Sequence, residues 1–400
     1  MRIVGIVSEY NPFHNGHARQ LRLIRQALGE DTAIVCAMSG NFVQRGAPAI
    51  FDKTLRAKAA VECGADLVLE MPVQTSLSSA EGFADGGIRI LGQLCDTLCF
   101  GSETGDAENI MSTAESLLSP DFSAHLRPHL DAGLSFPAAR QKALEEMGVG
   151  GIITANPNDI LAVEYCKAIL SQHLDMHILP IVREGGYHDL IPEPEQPSAT
   201  SLRQLLLNRK DISPYVPQSA GEIFKNAPIH TIGAGERAIL ARLRMMTDPE
   251  FEALPYGSEG LWRKLMHACR KYATLEKILD ATKSKRYTRS RLDRMVMCAF
   301  LGLDRSSMET KQDYTRVLAF SQRGRQLLAA HRASGTFLHT GEKTEHPQWT
   351  TEQRCDALYG LFRQDIPGAP DSAEKARIFP FSPFCSSASA TLFRYSGLVF

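Results

Sequence analysis

The densest chemistry in the chain lies just after its first apolar run, in His14-Asn15-Gly16-His17. Two imidazoles three positions apart, with a glycine between them, stand where an extended segment gives way to a helical pattern. An imidazole can donate a hydrogen bond to a non-bridging phosphate oxygen. Pre-oriented donors of this kind gain strength as charge builds on a five-coordinate phosphorus, each contributing about 3 kcal/mol. Gly16 lets the backbone approach a ligand closely. A helix start adds unpaired N–H groups and roughly half a positive charge. The loop therefore reads as a phosphate site with His14 and His17 as catalytic residues. A pair of capping histidines is the plain alternative. A zinc site is the weaker one, because no nearby Cys or acid cluster completes a tetrahedron.

Two further groups suit a polyanion. The segment Met38-Ser39-Gly40-Asn41-Phe42-Val43-Gln44-Arg45-Gly46 carries Gln44 and Arg45 beyond a strand, where a lid or acceptor-binding loop would lie. Arg45 is its candidate for direct contact, whereas Lys53 and Arg56 read as lining a helix surface. Farther on, Arg286, Tyr287, Arg289, Arg291 and Arg294 form a basic stripe with one ring in it. Cations for phosphates beside a ring for base stacking make an RNA footprint. A basic amphipathic helix is the alternative. The surrounding residues 261–330 hold about sixteen Lys and Arg against about six Asp and Glu, although the whole chain has a net charge of −1. Such a local excess points to a polyanion bound in one place, or to a solvated helical surface.

The elements that position these residues follow from periodicity. Residues 3–7 are a β-branched run, and Leu21, Leu23, Ile24 and Leu28 recur at helical spacing after His17. Strands are expected at 33–37, 66–69 and 97–100, alternating with helices at 53–63 and 80–91. That alternation predicts an α/β, Rossmann-like domain with a parallel sheet, binding ligands at the C-terminal ends of its strands. Residues 109–174 read as helical, 176–182 as strand, 192–197 as loop and 200–208 as a short helix. Beyond about residue 217 the pattern is mainly α-helical and increasingly basic. With 400 residues, more than one domain is expected, and a boundary near 220 divides 1–220 from 221–400.

Composition narrows the class. No stretch approaches eighteen consecutive apolar residues, and the first residues read as a strand rather than a signal peptide, so no membrane partner is expected. Nine cysteines are scattered along the chain. That usage suits reduced thiols and a cytoplasmic location. Cys95 and Cys99 read as a buried thiol pair rather than a metal site. The aromatic tail around Phe379, Phe381, Phe384 and Phe393 reads as domain packing.

The run VSEYNPFHNGH resembles the nucleotide-binding loop of the nucleotidyltransferase superfamily with HIGH-type motifs, and more narrowly that of the tRNA(Met) cytidine acetate ligase family. The 38–46 segment, Phe100-Gly101-Ser102-Glu103, Ala155-Asn156-Pro157-Asn158-Asp159-Ile160-Leu161, Gly186-Tyr187-His188-Asp189 and Lys285-Arg286-Tyr287-Thr288-Arg289 agree with it. The resemblance covers residues 1 to about 305. It implies a ligase that activates acetate with ATP as acetyl-adenylate and passes the acetyl group to the wobble cytidine of elongator tRNA(Met). A single-stranded anticodon loop suits this chemistry, because the base amine must be reachable.

The resemblance also implies site residues. Val7, Ser8, Glu9, Tyr10, Asn11, Pro12, Phe13, His14, Asn15, Gly16 and His17 would bind ATP. Gly101, Asn158 and Arg183 match family positions that contact the nucleotide. Ser198-Ala199-Thr200-Ser201-Leu202-Arg203 matches the superfamily's second motif, with Ser198, Thr200 and Ser201 on the outer phosphates. Plain readings stand beside these: a turn glycine at 101, an N-cap at Asn158, a surface ion pair at Arg183, an ordinary cap at 198–201. Residues 1–220 would then be the ATP-binding catalytic domain and 221–400 the tRNA-binding domain, with Arg45, Arg286, Tyr287, Arg289 and Arg294 touching tRNA. Magnesium is expected to arrive with the ATP phosphates, although no carboxylate cage is evident. No protein partner is predicted. Two other functions fit parts of the pattern: a nucleotidyltransferase making a dinucleotide cofactor, and a nucleotide-sensing RNA-binding protein without turnover.

Overall fold

A computed structural model describes residues 1–134, 136–149, 156–182, 193–195, 197–284, 287–310, 315–332, 338–339, 346–368 and 379–380. The apolar runs form strands β1 (Ile3–Ser8), β2 (Ala33–Ser39), β3 (Phe42–Val43), β4 (Ala47–Pro48), β5 (Leu67–Met71), β6 (Thr97–Ser102), β7 (His177–Val182), β8 (Thr315–Phe320), β9 (Leu338–His339) and β10 (Phe379–Pro380). Among the described residues, one sheet runs in the order β10-β8-β5-β2-β1-β6-β7, with β9 beside β8. Strands β5, β2, β1, β6 and β7 pair in parallel. Every residue of β2 and β5 is buried, so neither shows the alternation of a half-exposed strand.

Successive residues of β2 serve opposite faces. Ala33, Val35 and Ala37 pack with Ile88, Leu91, Val163 and Cys166 from helices Ala80–Leu91 and Pro157–Ser171. Ile34, Cys36 and Met38 pack with Leu21, Ile24, Ala57 and Val61 from helices Asn15–Leu28 and Lys53–Glu62. Helices thus cover both faces, and the Rossmann-like expectation holds. From β1 the chain moves to β2 on one side and later to β6 on the other. The crevice beyond the C-terminal ends of β1 and β6 is therefore the switch point where such sheets bind ligands.

The residues beyond 220 are mainly helical, as read, and build their own core around Leu265, Ile278, Leu292, Met295 and Phe362. That core also takes Phe42, Val73 and Leu77 from the first half. The helical reading lacks β8, which pairs antiparallel with β5 and extends the main sheet. The stretch expected to be helical from 109 is several helices, Ala107–Leu118, Pro120–Asp131, Phe136–Glu146 and Pro157–Ser171. Ser119 caps the second, and proline opens the second and fourth, where its missing N–H costs nothing.

Lys53 and Arg56, expected on a helix surface, are buried. Lys53 Nζ lies 2.6 Å from both Glu70 Oε1 and Asp356 Oδ1. Arg316 reaches Glu70 Oε2 at 2.6 Å and Asp356 at 3.3 Å. Two cations and two carboxylates thereby join β5, β8, the Lys53 helix and helix Pro347–Tyr359. Beside them Glu352 accepts from Val73 N at 2.6 Å, and burial, aided by Glu70, pushes its carboxyl up to about 8. Arg56 donates to the carbonyls of Phe51, Glu9, Ser39 and Gly40. One guanidinium thus ties the turn after β1 to the turn after β2.

Candidate active site

The turn after β1 is held in an uncommon shape. Tyr10 adopts φ 45°, a left-handed conformation that side chains rarely take. Its buried ring packs edge-on against Phe13 and His17, and its hydroxyl contacts Cys36 Sγ at 3.3 Å. Burial pushes the Tyr10 phenol well up, so it stays neutral. Asn11 is a junction: its Oδ1 accepts from Ile50 N at 2.7 Å, and its carbonyl accepts from Arg203 Nη1 at 2.8 Å. Glu9 Oε1 accepts from Gln44 N at 2.8 Å.

His14 is the N-cap of the Asn15 helix and is buried. Its backbone N–H donates to His17 Nδ1 at 3.2 Å, and the two rings stack with centroids 3.6 Å apart. The acceptor role of Nδ1 places the His17 ring proton on Nε2, leaving that N–H as a donor. The cap therefore uses one nitrogen of the ring, and the ring proton sits on the other. Gly16 has a local reason as well: a Cβ there would stand 3.1 Å from His14 Cε1 and press on the stacked pair.

These residues open onto a cavity of about 710 Å³ at the switch point. Val7, Ser8, Glu9, Tyr10, Asn11, His14, Gly16, His17, Gly101, Asn158, Ser198 and Thr200 line it, as does Arg45. The other expected nucleotide residues stand behind this wall. Pro12 and Phe13 are buried. Asn15 donates to Pro194 O at 2.7 Å, and Ser201 N donates to Ser198 Oγ at 3.1 Å. Asn158 is not an N-cap; that position is Asn156. Asn158 Nδ2 instead donates to Glu103 Oε1 at 2.7 Å, and Glu103 Oε2 accepts from Asp159 N. Arg183, Arg286 and residues 186–189 lie outside the described residues, as do Phe381, Phe384 and Phe393.

The cavity has walls that the sequence reading passed over: Arg19 and Gln20 on the first helix, Arg203 within the second motif, and His230, Thr231, Ile232 and Gly233. Arg203 was within reach of sequence reasoning, since it closes the SATSLR run and holds Thr200 Oγ1 at 3.0 Å. The 230–233 segment carried only the signal of a threonine before a helix.

The basic stripe divides. Arg289 pairs with Glu276 through both Nη atoms at 2.8 Å and with Asp293 at 2.9 Å. Those carboxylates raise its pKa further. Arg294 packs over the Tyr256 ring and reaches Gln44 O at 3.4 Å. Gly46 explains the closeness: at φ 75°, its missing Cβ would lie 2.3 Å from Arg294 N, so the 38–46 segment rests on the backbone of helix Arg289–Leu301. Tyr287 donates to Glu259 and lies under Arg291. More exposed positive charge sits on helix Leu261–Lys271, at Arg263, Lys264, Arg270 and Lys271. There Arg263 lies over the Trp262 ring and Lys271 over Tyr272.

Among the described residues no group of His, Cys, Asp and Glu is arranged to hold a metal ion, and no helix is long and apolar enough to cross a membrane. The eight described cysteines are free, with Cys95 and Cys99 both buried.

The HIGH Nucleotidyl Transferase family model matches residues 1–371. The tRNA(Met) cytidine acetate ligase of Clostridium acetobutylicum is 34% identical over 351 residues, covering 82% of this chain and 87% of that protein. The ligase of the same name from Alkaliphilus metalliredigens is 35% identical over 369 residues, covering 84% and 87%. Among solved structures, Thermotoga maritima TmcAL bound with alpha-thio ATP superposes with a TM-score of 0.85 at 29% identity, covering 95% of this chain and 100% of that one. Its apo form gives 0.88 at 28% identity, covering 95% and 99%.

Proposed function

This chain belongs to the HIGH Nucleotidyl Transferase family, and within it to the tRNA(Met) cytidine acetate ligases, and from that premise we propose that it activates acetate with ATP and acetylates the wobble cytidine of elongator tRNA(Met). An acetate oxygen attacks the α-phosphorus, and the bond to pyrophosphate breaks. The exocyclic amine of cytidine then attacks the acetyl carbon, AMP leaves, and the amine gives up a proton. Activation is needed because acetate is a poor acyl donor and that amine a weak nucleophile.

The observation that carries this reading is the meeting of both nucleotide motifs in one cavity at the switch point. His14 and His17 line it from one helix start, and Ser198 and Thr200 from another. In this reading the imidazoles donate to the α-phosphate as it becomes five-coordinate, and Ser198, Thr200 and Ser201 hold the outer phosphates. Magnesium would ride on the phosphates and water; the described residues offer no carboxylate set for it, and no step is assigned to it.

The residues beyond about 220 serve as the tRNA-binding half, with Arg45, in the 38–46 segment that rests on it, at the cavity between the halves. The exposed cations of the Leu261 helix would lead backbone contact, with Arg289 and Arg294 shaping that surface. A cytoplasmic location follows from the substrate. The test is tRNA-dependent incorporation of labelled acetate, with mass analysis of the product nucleosides. N4-acetylcytidine in elongator tRNA(Met) is expected. Acetate-independent activity, or a dinucleotide product, would overturn the reading.

A further inference from the structure

The cavity receives a helix start besides those of the two nucleotide motifs. Thr231 caps helix Ile232–Met245, its Oγ1 accepting from Ala234 N at 3.1 Å. Ile232 and Gly233 supply the first two N–H groups, which have no acceptor inside a helix. Both residues line the cavity, and a Cβ at Gly233 would meet nothing within 4 Å. Over fourteen residues the aligned peptides bring a partial positive charge to this end.

A buried side chain marks the same spot. His230 lines the cavity and is only 5% exposed. Its ring is fixed flat against Tyr359, with centroids 3.8 Å apart, and its buried Nδ1 has no hydrogen-bond partner among the described residues. Burial pushes its pKa down to about 4, so the imidazole is neutral and carries one ring N–H. The segment is also tied to the phosphate loop. Asn11 Oδ1 accepts from Ile50 N at 2.7 Å, and Ile50 O accepts from His230 N at 3.0 Å. One residue separates His230 from the turn that carries His14. Val43, Ala47, Pro48 and Ile50 add apolar wall to the same cavity.

We propose that the start of the Ile232 helix and His230 form the carboxylate subsite for acetate, with the N–H groups of Ile232 and Gly233 on its oxygens and the apolar wall beside its methyl group. This rests on the reading of the cavity as the place where acetate is activated. The subsite offsets the repulsion between carboxylate and triphosphate while one acetate oxygen attacks the α-phosphorus and pyrophosphate departs. A helix start would also accept phosphate oxygens of ATP, and the experiment separates these two sources of anion.

The measurement is acetate-dependent exchange of labelled pyrophosphate into ATP on the full chain without tRNA, at varied acetate and varied ATP. Ile232→Pro deletes one N–H where a helix accepts proline, and Thr231 already has the extended backbone that precedes proline. It should raise KM for acetate about tenfold and leave KM for ATP within about twofold. His230→Ala should act in the same direction, and His230→Asn, which restores a short N–H donor, should recover part of the loss. A larger rise in KM for ATP than for acetate would assign the helix end to phosphate and overturn the proposal. Unchanged KM for acetate in both Ile232→Pro and His230→Ala would also overturn it. Absence of any acetate-dependent exchange in the unaltered chain would overturn the functional reading, and this subsite with it.

Discussion

His17 Nδ1 accepts the backbone N–H of His14 at 3.2 Å, so this nitrogen closes the helix start while the ring proton sits on Nε2, the atom proposed to donate to phosphate. The two roles can be separated by substitution. Asn at position 17 offers an oxygen to the same N–H but no donor at the Nε2 position. His17→Asn should therefore keep the melting temperature within a few degrees while lowering acetate-dependent pyrophosphate release about a hundredfold or more. His17→Ala should lose both. Turnover near that of the unaltered chain in His17→Asn would remove His17 from the chemistry.

Arg56 is the strongest single tie beneath the site. Its guanidinium serves four carbonyls, among them Glu9 and Gly40, and it is fully buried. Arg56→Met preserves bulk but strands those acceptors away from water. A loss of about 3–5 kcal/mol in denaturant unfolding is expected, with weaker ATP binding in whatever remains folded. A change below about 1 kcal/mol would mean that water replaces the guanidinium without cost.

What was legible in the sequence was local. The run at 3–7, the HNGH turn and the helix after it are contiguous, so periodicity and turn chemistry place them within a residue or two. Lys53 and Arg56 were not legible, because what buries them comes from elsewhere. Lys53 meets Asp356 across some three hundred residues, and a lysine on a helix reads as surface until that partner is seen. The same holds for β8, whose six residues become a strand by pairing with β5. His230 is tied to the site by Ile50, a partner far away in sequence. Resemblance supplied Gly101 and Asn158, which composition and spacing alone would have left as a turn and a cap.

Glu352 gives the fold a pH dependence of definite sign. Burial, with Glu70 adding to it, pushes its carboxyl up from 4.5 to about 8. Between those values the folded state holds a proton that the unfolded chain releases. The neutral carboxyl's contribution is thus complete at low pH and is lost as pH rises toward 8, at up to about 1.4 kcal/mol per unit. Gln at 352 keeps an oxygen for Val73 N–H and cannot ionise. Unfolding curves of Glu352→Gln and the unaltered chain should therefore separate as pH rises from 5.5 to 8, with the variant the more stable. Parallel curves would show that Glu352 ionises in the folded state near its ordinary value.

The last expectation concerns the surface proposed to meet tRNA. Arg289 is committed to Glu276 and Asp293, so its removal disturbs the protein as well as any RNA contact. Arg263, Lys264 and Lys271 are exposed and therefore make a cleaner probe. Each phosphate neutralised by such a residue releases counterion, and for single strands log affinity falls by roughly 0.7 per phosphate for each tenfold rise in salt. If about five cations touch the backbone, a fourfold rise in salt should weaken tRNA binding about a hundredfold. Changing Arg263, Lys264 and Lys271 together to Ala should lower the salt slope by about 2 and weaken binding at low salt most. Acetyl-adenylate formation without tRNA should change little under either treatment, because the HNGH turn and the second motif present mainly helix ends and short side chains to the cavity. A salt slope left intact by the triple change would place the tRNA on another face, with the 38–46 segment and Arg45 the first to examine. A flat response to salt in the unaltered chain would show the positive excess of residues 261–330 to be solvated surface and nothing more.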